Sequence, residues 1–119
     1  MSCAIIDVQL GIERVFGAAD LWRRAITMLM TELPGALADI ERAFAEEKIE
    51  DLRRHAHKLH GTLIYCGTPM LQRAAKALEL ACAKTPEQIE ERLSELKMAV
   101  AALDAFVEKY GIPDVRSLS

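Results

Sequence analysis

Apolar residues recur at steps of three and four along nearly the whole chain. Between residues 49 and 66 the series Leu52, Ala56, Leu59, Leu63, Cys66 advances by four, three, four and three. That spacing keeps one face of an α-helix apolar and predicts a buried stripe. Leu71, Ala74, Leu78 and Ala81 make a second stripe, and Ile89, Leu93, Leu96, Val100, Leu103, Val107 and Tyr110 a third that runs up to Gly111. Upstream, residues 7–16 predict a short helix ended by Gly17. A longer one starts with Asp20 as N-cap and turns Leu21, Ala25, Met28 and Leu29 inward. Pro34 is expected to interrupt or kink it, after which Leu37, Ile40 and Phe44 resume the pattern.

The breaks carry their own signals. Gly67-Thr68-Pro69 reads as a helix end followed by a start, with glycine at C′, threonine as N-cap and proline in the first turn. Thr85 and Gln88 have the spacing of a capping box. Pro113 closes the last helix. Short connections between long amphipathic helices make neighbours antiparallel. The expected fold is therefore all-α, an antiparallel four-helix bundle with an additional short N-terminal helix. One domain spans residues 1–113, and residues 114–119 form a loose tail. There is no repeat, low-complexity tract or Gly-rich linker.

Composition narrows the function classes. At 119 residues the chain holds one core. It is 51% apolar but only 5% aromatic, a balance of Leu, Ala, Ile, Val and Met that suits helices. A net charge of -3 argues against general nucleic-acid binding. No apolar run approaches the roughly 20 residues of a membrane span, and no secretory signal opens the chain. Cys3, Cys66 and Cys82 form neither a Cys-x-x-Cys pair nor a disulfide framework, which fits a reducing, cytoplasmic setting. Cys66 and Cys82 read as small hydrophobes. A monomer is expected.

The chemistry concentrates in His57-Lys58-Leu59-His60-Gly61. Residues four apart share a helix face, and a glycine inside a helix costs about 1 kcal/mol relative to alanine. Gly61 below His57 therefore marks a place where something large comes close to the imidazole. With the Leu52–Cys66 stripe defining the inward direction, Arg53, His57, His60, Gly61 and Ile64 form a second stripe roughly 100–150° away. His57 sits on the bundle's accessible edge, His60 closer to the core, and His55 on the opposite boundary as a packing or surface residue. A neutral imidazole is nucleophilic at one nitrogen while the other is held by a hydrogen bond. A solvated helix histidine and a metal site on His55, His57 and His60 are the competing readings. The second is disfavoured because His55 points away and no cysteine is near in sequence.

Ala56-His57-Lys58-Leu59-His60-Gly61, followed by Gly67, Leu71 and Leu78-Glu79, resembles the histidine-containing phosphotransfer (HPt) domain. The family pattern is His-x-Leu-Lys-Gly, a second glycine six residues on, a leucine four beyond that, and a Leu-Glu pair. The likeness covers nearly the whole chain and is greatest to C-terminal HPt modules of hybrid sensor kinases of the BarA/GacS type.

The resemblance implies that His57 is the phosphorylated residue and that Gly61 leaves room for a partner. His60 stands where the family has lysine, and imidazole is only partly charged near pH 7. His60 would donate a hydrogen bond to the phosphoryl oxygens, and stabilisation would be weaker than with lysine or would lean on Arg53, Arg54 or Lys58. Ile64 and Met70 would belong to an apolar docking surface. The implied activity is a phosphorelay step. His57 takes a phosphoryl group from a receiver-domain phospho-aspartate and passes it to a response-regulator aspartate. The chain would be a phosphocarrier with no ATP-dependent kinase activity, having no Gly-rich phosphate loop, and with no intrinsic cofactor or metal. Mg²⁺ would come with the receiver. The setting would be cytoplasmic, as a module of a membrane-bound kinase without membrane contact of its own. A non-catalytic helical interaction module is the alternative.

Overall fold

The computed structural model describes residues 4–113, so Cys3 and the tail at 114–119 lie outside the described residues. The elements are α1 (Val8–Arg14), α2 (Ala19–Ala45), α3 (Ile49–Leu63), α4 (Pro69–Lys84) and α5 (Ile89–Tyr110), with a 3₁₀ turn at Pro86–Gln88 before α5. The described residues contain no strand. α2 to α5 pack side by side as the bundle, and α1 closes one end against α2. The expected stripes meet in one core built around Leu29, Leu33, Ile40, Leu52, Leu63, Leu71, Leu78 and Leu96.

Several local expectations are corrected. Leu21 and Met28 do not face inward; they are 49% and 60% exposed. The buried face of α2 is instead Trp22, Ile26, Leu29, Leu33 and Ile40. Trp22 sets this rotation: it is fully buried, its indole N–H donates to the Cys66 carbonyl at 2.8 Å, and Gly11 lies against its ring. Pro34 does not interrupt α2, which is continuous over 27 residues. The ring is exposed, where water can take the carbonyl that loses its N–H partner.

Ala18, not Asp20, is the N-cap of α2, and Asp20 lies in its first turn next to the positive end of the helix dipole. α1 is capped by Asp7, whose side chain accepts from the Leu10 N–H. The Thr85–Gln88 capping box does not form. Gln88 N–H donates to the Thr85 backbone carbonyl at 2.8 Å, and the segment winds as a 3₁₀ turn. Thr68 precedes α4, yet its hydroxyl is buried without a partner and caps nothing. Tyr110 ends its stripe 64% exposed. Cys66 and Cys82 are buried, and burial pushes the Cys66 thiol up to about 11, so both act as packing groups.

The N-terminal segment is fastened to the turn between α3 and α4. Asp7 N–H donates to Gly67 O at 2.7 Å, and Met70 N–H to Ala4 O at 3.2 Å. Gly67 has φ +65, and a Cβ there would lie 2.5 Å from the Asp7 carbonyl oxygen. This lock holds the lower ends of α3 and α4 together and so contributes to their relative register.

Candidate functional site

α3 presents Leu52, Ala56, Leu59 and Leu63 to the core, which turns His57 outward. Its side chain is 68% exposed, and Nδ1 lies 2.7 Å from Glu79 Oε2 across the seam between α3 and α4. Glu79 follows the buried Leu78 on α4 and is itself only 20% exposed. An ionised carboxylate can only accept, so beside it a neutral imidazole carries its proton on Nδ1 and keeps the lone pair on Nε2. The fold thus fixes one nitrogen of the ring and leaves the other open to an incoming electrophile.

The cationic candidates divide between two seams. Arg53, one turn before His57, is on the α4 side. It is tied to Glu50, whose hydrogen bond raises the guanidinium's already high pKa and draws the Glu50 carboxyl down. Arg54 pairs with Asp51 at 2.7 Å and, with Lys58 and His55, lines the groove between α2 and α3. The three histidines therefore do not converge. His60 is half-buried, and helix geometry places it about 60° from His57 on the Arg53 side.

Gly61 lies in the last turn of α3, and a Cβ built there meets nothing within 4 Å. Internal packing does not ask for a glycine at this position. It lines a depression on the α2–α3 side, together with Met28, Lys58 and Tyr65. Met28 and Tyr65 are 60% and 51% exposed, so this depression carries exposed large apolar groups. Ile64 is half-buried, and Met70 packs against the core. Sequence reasoning missed Glu79 as the partner of His57, Met28 as a surface residue, and Tyr65 altogether. The Leu78-Glu79 pair was the one available signal, since it sets a carboxylate beside a core position.

A family model for the Hpt domain matches residues 24–106. The chain belongs to the Hpt domain family. It is 31% identical over 101 residues to the sensor protein GacS of Pseudomonas syringae pv. syringae, covering 85% of this chain and 11% of that protein. Against the signal transduction histidine-protein kinase BarA of Shigella flexneri the identity is 34% over 95 residues, covering 78% of this chain and 10% of the kinase. The chain thus spans about a tenth of the length of these curated relatives. The HPT domain of a hybrid histidine kinase from Shewanella superposes with a TM-score of 0.68 at 25% identity, over 91% of this chain and 97% of that domain. The Hpt bundle and its likeness to modules of hybrid sensor kinases are thereby shown, and among the described residues no helix is long and apolar enough to cross a membrane.

Proposed function

We propose that this Hpt domain is a phosphorelay intermediate carrying its phosphoryl group on His57 Nε2. The observation that supports this most is the exposed imidazole with Nδ1 held 2.7 Å from the Glu79 carboxylate. A receiver domain bearing phospho-aspartate docks beside His57. The Nε2 lone pair attacks phosphorus in line with the aspartyl oxygen. The P–N bond forms, the P–O bond breaks, and the aspartate leaves with the electron pair as a carboxylate. The ring gains positive charge as the P–N bond forms, and Glu79 at Nδ1 offsets it by a charge-assisted hydrogen bond. Transfer to a second receiver's aspartate runs the same steps backwards. Positioning and charge compensation carry such a reaction; Mg²⁺ and the acidic groups that bind it belong to the receiver. Arg53, Arg54 and Lys58 are the cations that would reach the phosphoryl oxygens, with the His60 imidazole as a further hydrogen-bond donor. The domain works on the cytoplasmic side, in or beside a sensor kinase.

The test is incubation with a phosphorylated receiver. The expected result is label on this chain that is labile to acid and stable to alkali, as a P–N bond is, and no label from ATP alone. A helical interaction module would bind the receiver and remain unlabelled.

Glu79→Ala should slow acceptance about tenfold at an unchanged melting temperature. The Nδ1–Glu79 bond strengthens as the ring gains positive charge in the transition state, and a differential stabilisation of about 1.4 kcal/mol there is a factor of about ten in rate. Glu79→Gln keeps an accepting oxygen without the charge and should fall between. Equal rates in all three chains would remove Glu79 from the mechanism.

Gly61→Ala should raise stability by up to about 1 kcal/mol, because its Cβ enters open space. Gly61→Leu should keep the fold and slow transfer from the receiver, measured by melting and by rate on the same samples.

A further inference from the structure

The contact of His57 with Glu79 fixes which residues face each other across the α3–α4 seam. The two helices are packed neighbours joined by a short turn, so they run antiparallel. Three residues forward on α3 then lie opposite three residues back on α4, and His60 faces Lys76. Counting around each helix from its buried stripe places Glu79 and His60 roughly 70–90° from the core direction, and His57 and Lys76 roughly 130–150°. Exposure follows the same order. Glu79 is 20% exposed and His60 half-buried, whereas His57 is 68% exposed and Lys76 is exposed. His57 and Lys76 are thus the outer pair of the seam, one on each rim and offset by about 4.5 Å along the helix axes.

A phosphoryl group brings roughly −1.5 to −2 of charge and three acceptor oxygens. On His57 it stands beside the Glu79 carboxylate, so the seam calls for a cation with no prior partner. Arg53 is bound to Glu50 and Arg54 to Asp51, each on its own helix. Either must give up an ion pair to turn to the phosphoryl group. Lys58 stands about 100° round α3 from His57, beside the depressions between α2 and α3. Lys76 makes no ion pair among the described residues. The carboxylate one turn along its own helix, Glu79, is taken by His57. An ammonium on a flexible four-carbon stem presents three donors and follows a group that is present in only one state of the domain.

We infer that Lys76 binds the phosphoryl oxygens at His57, a cation supplied from α4 across the seam. The inference rests on the phosphocarrier reading and adds a residue to it. In the uncharged domain the Lys76 ammonium is in water. Its charge-assisted hydrogen bond forms only as phosphorus approaches Nε2, so it stabilises the transition state and the charged domain over the free one and speeds acceptance.

The experiment compares two phosphoryl donors. One is a phosphorylated receiver that charges the wild-type chain; the other is phosphoramidate, a small molecule that needs no docking surface. Lys76→Ala is expected to take label roughly tenfold more slowly from both donors, at an unchanged melting temperature because the residue is exposed. Lys76→Arg keeps the charge and should stay within about twofold of wild type. His60→Lys added to Lys76→Ala returns a cation from the facing position and should recover most of the rate. Arg73→Ala removes an exposed charge one turn earlier on α4, turned about 60° further from the seam, and should label at the wild-type rate. Wild-type labelling of Lys76→Ala by both donors overturns the inference. A loss confined to the receiver overturns it too, since Lys76 is then a docking contact. An equal loss in Arg73→Ala overturns it in favour of the general field of the surface, and so does a loss that neither Lys76→Arg nor the added His60→Lys repairs. A wild-type chain that takes label from neither donor overturns the phosphocarrier reading itself, and the role of Lys76 with it.

Discussion

His57→Gln should abolish phosphoryl acceptance while leaving the melting temperature within a degree or two of wild type. The loss is complete because glutamine has no nucleophilic nitrogen, and no second imidazole occupies the same place. His55 lines the groove on the α2 side, and His60 is displaced around the helix and half-buried. The effect on folding is small because the side chain is 68% exposed and its one hydrogen bond is to Glu79. Exposed substitutions of this kind shift stability by about 0.5 kcal/mol or less. The same variant should still bind a receiver, since Gly61, Met28 and Tyr65 are untouched. Rate of labelling, receiver affinity and thermal melt measured together separate the three effects. Label on the His57→Gln chain, or loss of label in His55→Gln instead, would move the acceptor elsewhere.

Much of this site was legible because it depends on one helix. The stripe Leu52–Cys66 is regular enough to fix the inward direction of α3, and the outward position of His57 follows from counting residues around it. The Gly67-Thr68-Pro69 break was legible for the same reason: glycine and proline punctuate locally. What was not legible depends on pairs distant in sequence. Glu79 is 22 residues from His57 and meets it only because α3 and α4 pack in one particular register. On α2, Leu29 and Ile40 are buried as expected, but Leu21 and Met28 are not, and Trp22 takes the inward place one residue on, about 100° round the helix, since Leu21 and Trp22 are both apolar and adjacent. The choice between them is made by Cys66 O, 44 residues away, and by the bare Cα of Gly11. Thr68 and Thr85 are cap residues by type, but in each case the side chain is not used. Residue type thus gave the places where helices stop. Long-range packing decided which groups meet there.

Gly67→Ala is expected to be the most destabilising of the small substitutions, in contrast to Gly61→Ala. The change in side chain is the same single methyl group; the surroundings differ. Gly67 has φ +65, and left-handed backbone costs a residue with a Cβ about 1–2 kcal/mol. The added Cβ would also stand 2.5 Å from Asp7 O and 2.8 Å from Gly11 Cα, both backbone atoms that no rotamer change can move aside. Relief requires the N-terminal segment to lift, which endangers the Asp7–Gly67 and Met70–Ala4 hydrogen bonds and the seat of α1 over the Trp22 ring. The sum is a loss of about 3 kcal/mol or more, in the range of a core truncation, and for a domain of this size a fall in melting temperature of roughly 10 °C. Intrinsic tryptophan fluorescence should report it directly, because Trp22 is the single tryptophan of the chain and is fully buried. Well below its lowered melting point the variant should still accept phosphoryl groups, since His57 and Glu79 lie up the bundle from the lock. A wild-type melting temperature in Gly67→Ala would mean that the N-terminal segment yields at no cost, and that the lock between it and the α3–α4 turn contributes nothing to the fold.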